Sequence, residues 1–100
     1  MKILAITACP TGIAHTYMAA ENLERMGKKL GHEIKVETQG AMGIENELTA
    51  RDIRDAQILI IASEVPVQGR DRFLNIPKII EVPVQLAIRN PADVFNRLSS

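Results

Sequence analysis

Four apolar runs of strand length, separated by stretches with helical spacing, constrain this chain of 100 residues more than any other feature. The first, residues 2–7, carries Ile3, Leu4 and Ile6 and has the near-continuous apolar character of a strand covered on both faces. Residues 33–38 alternate, with Ile34 and Val36 on one side, as a strand nearer an edge does. Residues 57–62, with Ile58, Leu59, Ile60 and Ile61, form the most hydrophobic run and read as a central strand, and residues 78–82 form the fourth. Between them, Tyr17, Ala20, Leu23, Met26 and Leu30 recur at helical spacing from Ile13, and Gly31 follows where a C-cap glycine belongs. Thr49-Ala50-Arg51-Asp52 has capping-box form and introduces a short helix carrying Ile53. Pro83 starts a short helix over Leu86 and Ile88. Asn90-Pro91 then supplies an N-cap and a first-turn proline for a last one, with Val94, Phe95 and Leu98 facing inward. Strands alternating with helices require right-handed crossovers. The expected fold is therefore α/β, an open four-stranded parallel sheet with helices on both faces, in one domain over residues 1–100.

Ligands of such sheets bind beyond the carboxyl ends of the strands, where connections diverge to opposite faces. The only cysteine, Cys9, stands at the end of the first strand and opens the segment Cys9-Pro10-Thr11-Gly12-Ile13-Ala14-His15-Thr16, which runs into the first helix. A strand, a short loop with proline and glycine, and a helix start make an anion site: the first helical amides lack intrahelical partners and the helix dipole adds positive charge. The field that binds an oxyanion also stabilises a thiolate. The pattern points to a nucleophilic cysteine whose product is a phosphorylated sulfur; the other reading is a small buried residue at a strand end, which fits most lone cysteines. Residues 39–46 and 63–72 follow two other strands and should surround Cys9.

Composition closes off other classes. Twelve basic and twelve acidic residues balance, which leaves no electrostatic footprint for nucleic acid, and three aromatic residues offer little for base stacking. No apolar stretch has the length to span a bilayer, and Met1-Lys2 leads into a strand rather than a signal peptide. One cysteine excludes an internal disulfide. The expectation is a cytoplasmic protein that docks to any membrane partner without inserting.

Cys-Pro-Thr-Gly-Ile-Ala-His-Thr closely resembles the phosphorylation-site loop of the fructose-type enzyme IIB domains of the bacterial phosphoenolpyruvate-dependent sugar phosphotransferase system. A second block, Glu37-Thr38-Gln39-Gly40 followed by Gly43, Glu45-Asn46 and Leu48-Thr49, is similar to that family's other characteristic stretch. Arg72-Phe73 echoes the family as well, whereas residues 63–69 depart from its pattern. The resemblance implies that Cys9 takes a phosphoryl group from a phosphohistidine on enzyme IIA. It then passes the group to a sugar, fructose or a fructose-like one, bound in a membrane enzyme IIC. It implies that Pro10, Thr11, Gly12, Ile13, Ala14, His15 and Thr16 hold the phosphoryl group, with backbone amides on its oxygens. It also implies that Gln39, Gly40, Glu45 and Asn46 meet the partners. No cofactor is expected, and metal ligation by Cys9 and His15 is disfavoured because His32, in an expected turn, is the only other histidine.

The layout also resembles the phosphate loop of protein tyrosine phosphatases, in which an arginine stands six residues after the cysteine; here that position holds His15. Histidine lacks the planar fork that grips two phosphoryl oxygens. The acids of residues 63–72, Glu64 and Asp71, carry no pattern that marks a leaving-group acid. His15 either adds a donor or a positive charge, or faces solvent beside the docking surface. Thr16, in the first helical turn, is placed to bond the thiolate or a phosphoryl oxygen, and the two arginines Arg70 and Arg72 read as solvated surface. A low-molecular-weight cysteine phosphatase and a thiol reductase share the strand–cysteine–loop–helix layout but are disfavoured by the missing arginine and missing second cysteine. An oxyanion-binding module needs the loop without the nucleophile.

Overall fold

The computed structural model describes residues 1–9, 13–40 and 43–99, and in the order of the chain these build a five-stranded sheet with helices on both faces. The strands are β1 (Lys2–Ala8), β2 (Glu33–Gly40), β3 (Gly43–Glu45), β4 (Ile58–Ser63) and β5 (Lys78–Val82). The helices are α1 (Ile13–Lys29), α2 (Ala50–Asp55), α3 (Val84–Arg89) and α4 (Pro91–Asn96), with a 3-10 turn at Arg70–Phe73. The sheet order is β3-β2-β1-β4-β5. The four expected parallel strands are present, with β1 and β4 both interior, and β3 is an addition to them: it returns antiparallel along β2, with Gly40 opposite Gly43 and Thr38 opposite Glu45. Of residues 39–46, expected as a loop, Gln39 and Gly40 thus end β2 and Gly43–Glu45 form β3, while Ala41 and Met42 lie outside the described residues. Gly43, at φ +92°, takes the backbone conformation that starts the return strand.

Alternation along β1 divides the core in two. Ile3 and Ala5 point to the side covered by α1, α3 and α4, where they meet Leu23, Val84 and Phe95. Leu4, Ile6 and Ala8 point to the side covered by α2 and the 3-10 turn, against Leu48, Ala56 and Phe73. A strand buried on both faces has no polar side, which is why its sequence shows no alternation.

Helix α1 is rotated from the face its apolar spacing suggests. Thr16, Ala19 and Leu23 are buried, whereas Tyr17 is 39% and Leu30 51% exposed. Close approach to β2 drives the rotation: a side chain at Gly27 would lie 2.9 Å from Ile34 Cγ2, so the glycine face must meet the sheet. The helix stops as expected, with Gly31 at φ +84° and the His32 amide donating to the Gly27 carbonyl at 2.9 Å. Asn22 ties α1 to the end of α3 by donating to the Ala87 and Ile88 carbonyls.

The capping box on α2 is complete: Thr49 accepts from the Asp52 amide at 3.1 Å and Asp52 accepts from the Thr49 amide at 2.9 Å. Asp52 also receives Lys35 at 2.7 Å and Lys2 at 3.5 Å, which fastens α2 to the starts of β1 and β2. The Lys35 ammonium and the Thr49 amide together hold the Asp52 carboxyl well below the usual carboxylate range. Asn90 caps α4 with Pro91 in its first position, and Pro83 precedes α3, both as the sequence implies.

Thr49→Ala should lower stability by about 1 kcal/mol, the cost of a lost N-cap. Asp52→Ala should cost about 2 kcal/mol, because it also ends the pairing with two lysines. Urea midpoints measured side by side check this, and equal losses would show that the lysine contacts contribute nothing.

Candidate functional site

Cys9 follows the last residue of β1, and the register fixes what surrounds it. Ala8 is paired with Gln39 of β2 on one side and with Ser63 of β4 on the other. From β1 the chain crosses through α1 to β2, and from β2 it crosses back through α2 to β4, on the far side of β1. Cys9 therefore stands at the topological switch point, where neighbouring connections leave on opposite faces and open a crevice. The three segments expected to surround it do start from adjacent strand ends along one sheet edge.

By strand alternation Cys9 follows Ile3, Ala5 and Thr7 on the α1 side, and it is buried in that core at 9% exposure. Thr7, one step below it on the same face, is fully buried and donates its hydroxyl to the Thr16 carbonyl at 3.1 Å. This bond fixes the first turn of α1 against the end of β1. Thr16 is 1% exposed, and a side chain at Gly40 would lie 3.9 Å from its Oγ1, so the end of β2 lies beside that turn. Ala14 and His15 in the same turn are exposed. Pro10, Thr11 and Gly12 lie outside the described residues.

Of the residues expected at the partner surface, Glu45 is exposed and accepts a hydrogen bond from the Tyr17 hydroxyl, which raises the Tyr17 phenol above its ordinary value. Helix α1 and the hairpin are thereby tied on the outer flank of the crevice. Asn46 is exposed, at φ 55°, but its amide donates to the Val36 carbonyl at 2.9 Å and serves the turn after β3. Gln39 is buried and turned to the opposite face, so its side chain is not part of an open surface. Gly40 is half-buried at the strand end. Around this flank Tyr17, Met18 and Ile44 expose apolar area.

On the α2 side lies a polar cluster built on Glu37 and Arg72. Arg72, read as solvated surface, is only 23% exposed and pairs through both terminal nitrogens with the two oxygens of Glu37, at 3.0 Å each. Glu37 is fully buried and also accepts from the Leu48 amide at 2.9 Å and from Gln39 Nε2 at 2.7 Å. Burial pushes the Glu37 carboxyl up, but the guanidinium and the two amide donors pull it down, and the outcome lies below its ordinary 4.5. Arg70, read the same way, is a surface residue paired with the exposed Glu81. The sequence signal missed was Glu37 itself: an acid in the buried half of a strand needs a cation close by.

Glu64 accepts from the Val84 amide at 3.1 Å and so serves the start of α3. His32 stacks on Phe95 next to the start of β2, at the other end of the sheet from Cys9. Among the described residues no three His, Cys, Asp or Glu side chains cluster to hold a metal. A cavity of about 750 Å³ between α2 and the 3-10 turn is lined by Leu48, Ile53 and Arg72 and does not reach Cys9. No helix of the described residues is long and apolar enough to cross a membrane.

The family described as "PTS system, Lactose/Cellobiose specific IIB subunit" matches residues 4–97. The chain is similar to the PTS system fructose-specific EIIABC component of Bacillus subtilis, 49% identical over 96 residues that cover 96% of this chain and 15% of that protein. It is also similar to the PTS system fructose-like EIIB component 2 of Escherichia coli, 42% identical over 99 residues, covering 99% of this chain and 92% of the other. The solution structure of the Enzyme IIB subunit of a PTS system from Escherichia coli K12 superposes with a TM-score of 0.89, at 43% identity, over 98% of this chain and 90% of that one. The chain thus spans a small part of the first relative's length and nearly all of the second's.

Glu37→Gln keeps the shape of the side chain and removes its charge, and should cost on the order of 3 kcal/mol at pH 7. Because the folded carboxyl titrates below 4.5, the pair's contribution is complete above that pH and is lost as pH falls through the folded value. Thermal melts from pH 7 down to pH 3 should show the gap between wild type and variant narrowing only below pH 4.5. A gap constant across that range would mean that the charge contributes nothing.

Proposed function

The chain belongs to the enzyme IIB family of the sugar phosphotransferase system, as a fructose-type member, and on that footing we propose that Cys9 is the residue that carries the phosphoryl group. The observation that supports this most is the placing of the only cysteine at the switch point, immediately after Ala8, whose two parallel neighbours are Gln39 and Ser63, and ahead of α1. The Cys9 thiolate attacks the phosphorus of an N-phosphoimidazole on enzyme IIA. The sulfur–phosphorus bond forms, the phosphorus–nitrogen bond breaks, and the electron pair leaves on the imidazole nitrogen, which then takes a proton. In the second step a sugar hydroxyl bound in enzyme IIC attacks the same phosphorus. The oxygen–phosphorus bond forms, the thiolate departs, and a base on the membrane partner takes the hydroxyl proton. The sugar is fructose or a fructose-like one, as in the names of the relatives.

Charge on the phosphoryl oxygens is what a protein can stabilise in such a transfer. In this reading the backbone amides of residues 11–16 do so, Pro10 having no N–H to give, and Thr16 and Thr7 keep the first turn of α1 in place. His15, exposed beside the site, stands where a phosphatase has its gripping arginine, and Glu64 is engaged at α3. Both features favour a carrier, whose phosphocysteine must outlast the interval between two partners. Gly40 and the hairpin residues Glu45 and Asn46 lie on the surface those partners share. Each must bring a reacting atom to about 3 Å from the same phosphorus, so they bind one at a time.

Incubation with phosphorylated enzyme IIA should add one phosphate to the wild type, seen by intact mass, and none to Cys9→Ser. Phosphate retained by the variant on another residue would refute the assignment. Aryl phosphate turnover should be negligible in the wild type. His15→Arg should bind inorganic phosphate more tightly yet release little phenol, since no acid is positioned; steady Cys9-dependent release in the wild type would place the protein with the phosphatases.

A further inference from the structure

We infer that Arg72 is a positioning residue for phosphoryl transfer: by clamping Glu37 and the 64–72 connection to the end of β2, it holds the β2–β3 hairpin against the first turn of α1. The inference rests on the reading that this crevice is the transfer site. It joins two stretches, Glu37-Thr38-Gln39 and Arg72-Phe73, that the proposed chemistry gives no part in the transfer and that turn out to be two halves of one contact.

Arg72 is held from several sides. Its Nε donates to the Gly69 carbonyl at 2.8 Å, Nη2 donates to the Gln68 carbonyl at 3.0 Å, and its guanidinium lies 4.6 Å from the centre of the Phe73 ring. Both terminal nitrogens meet Glu37. Gln39 closes the clamp: its Oε1 accepts from the Gln68 amide at 2.8 Å, and its Nε2 donates to the Gln68 carbonyl and to Glu37. The 64–72 connection and β2 are thereby fastened side by side at the level of Ala8, one residue short of Cys9. The next residue of β2, Gly40, faces the other way and lies beside Thr16. A shift of Gln39 and Gly40 therefore moves the strand end beside Thr16 and the start of β3, although Arg72 touches neither.

Lysine at position 72 keeps the charge and loses the paired geometry. Gly69→Ala attacks the same seat without touching a charge, because a side chain there would lie 2.6 Å from Arg72 Nε and the backbone holds φ +69°. Both variants are compared with wild type well below their melting temperatures. In Arg72→Lys and Gly69→Ala the KM for phosphorylated enzyme IIA should rise about tenfold while kcat stays within twofold. In the unphosphorylated proteins, the amides of Thr16, Gly40, Ile44 and Glu45 should shift and exchange hydrogen faster. A wild-type KM in both variants, whatever their melting temperatures, overturns the inference, because the pair would then only add stability. Amide changes confined to residues 64–75 overturn it too. If the wild type takes no phosphate from enzyme IIA, the transfer reading itself fails, and the amide measurement still decides whether the clamp reaches α1.

Discussion

Parallel pairing of β1 on both sides is the constraint on which the rest depends. A central parallel strand must end between two neighbours whose chains leave in opposite directions, so its last residue opens onto a crevice that no side chain of its own strand fills. Ala8 occupies that position between Gln39 and Ser63, and Cys9 is the first residue beyond the ladder. Three segments far apart in the sequence converge there because their strands end along one edge. The Thr7 hydroxyl then secures α1 to that edge through the Thr16 carbonyl, so the start of the helix is fixed relative to the sulfur by a buried bond. In the proposed transfer, a carrier that must hold a phosphoryl group between two partners needs that fixity more than it needs a base or an acid.

A fully buried carboxylate beside such a site is expensive unless its charge is met. Removing one partner of a buried pair costs roughly 3–5 kcal/mol, so Glu37 commits the fold to Arg72. Four hydrogen bonds converge on Glu37 from three parts of the chain, β2 itself, the segment before α2 and the 3-10 turn. The pair lies on one face of the sheet and the cysteine on the other. The edge is therefore braced from behind, and Tyr17, Met18 and Ile44 expose apolar area on the other side.

Much of this was legible in the sequence, and the parts that were not share a cause. Continuous apolar runs announced β1 and β4, and local chemistry announced the caps at Thr49, Asn90 and Gly31. The antiparallel β3 was not visible, because three exposed residues with a glycine at the turn carry no periodic signal. The face of α1 was misjudged by one position: Tyr17 and Thr16 both fit a helical stripe, and what chooses between them is the close contact of Gly27 with Ile34. Arg72 looked like surface because its partner is 35 residues away, and only the pairing of strands brings the two together. The position of Cys9 between the end of β1 and the start of α1 was legible because one short stretch of sequence held both signals.

The central claim is that a phosphoryl group on Cys9 rests on the backbone amides at the start of α1. A phosphorus–nitrogen correlation spectrum of the phosphorylated, nitrogen-15-labelled protein tests this directly, since coupling passes through N–H···O–P hydrogen bonds. Cross-peaks from a single phosphorus to amides within residues 11–16 are predicted. A phosphorus resonance that correlates with none of them, or that survives in Cys9→Ser, would contradict it.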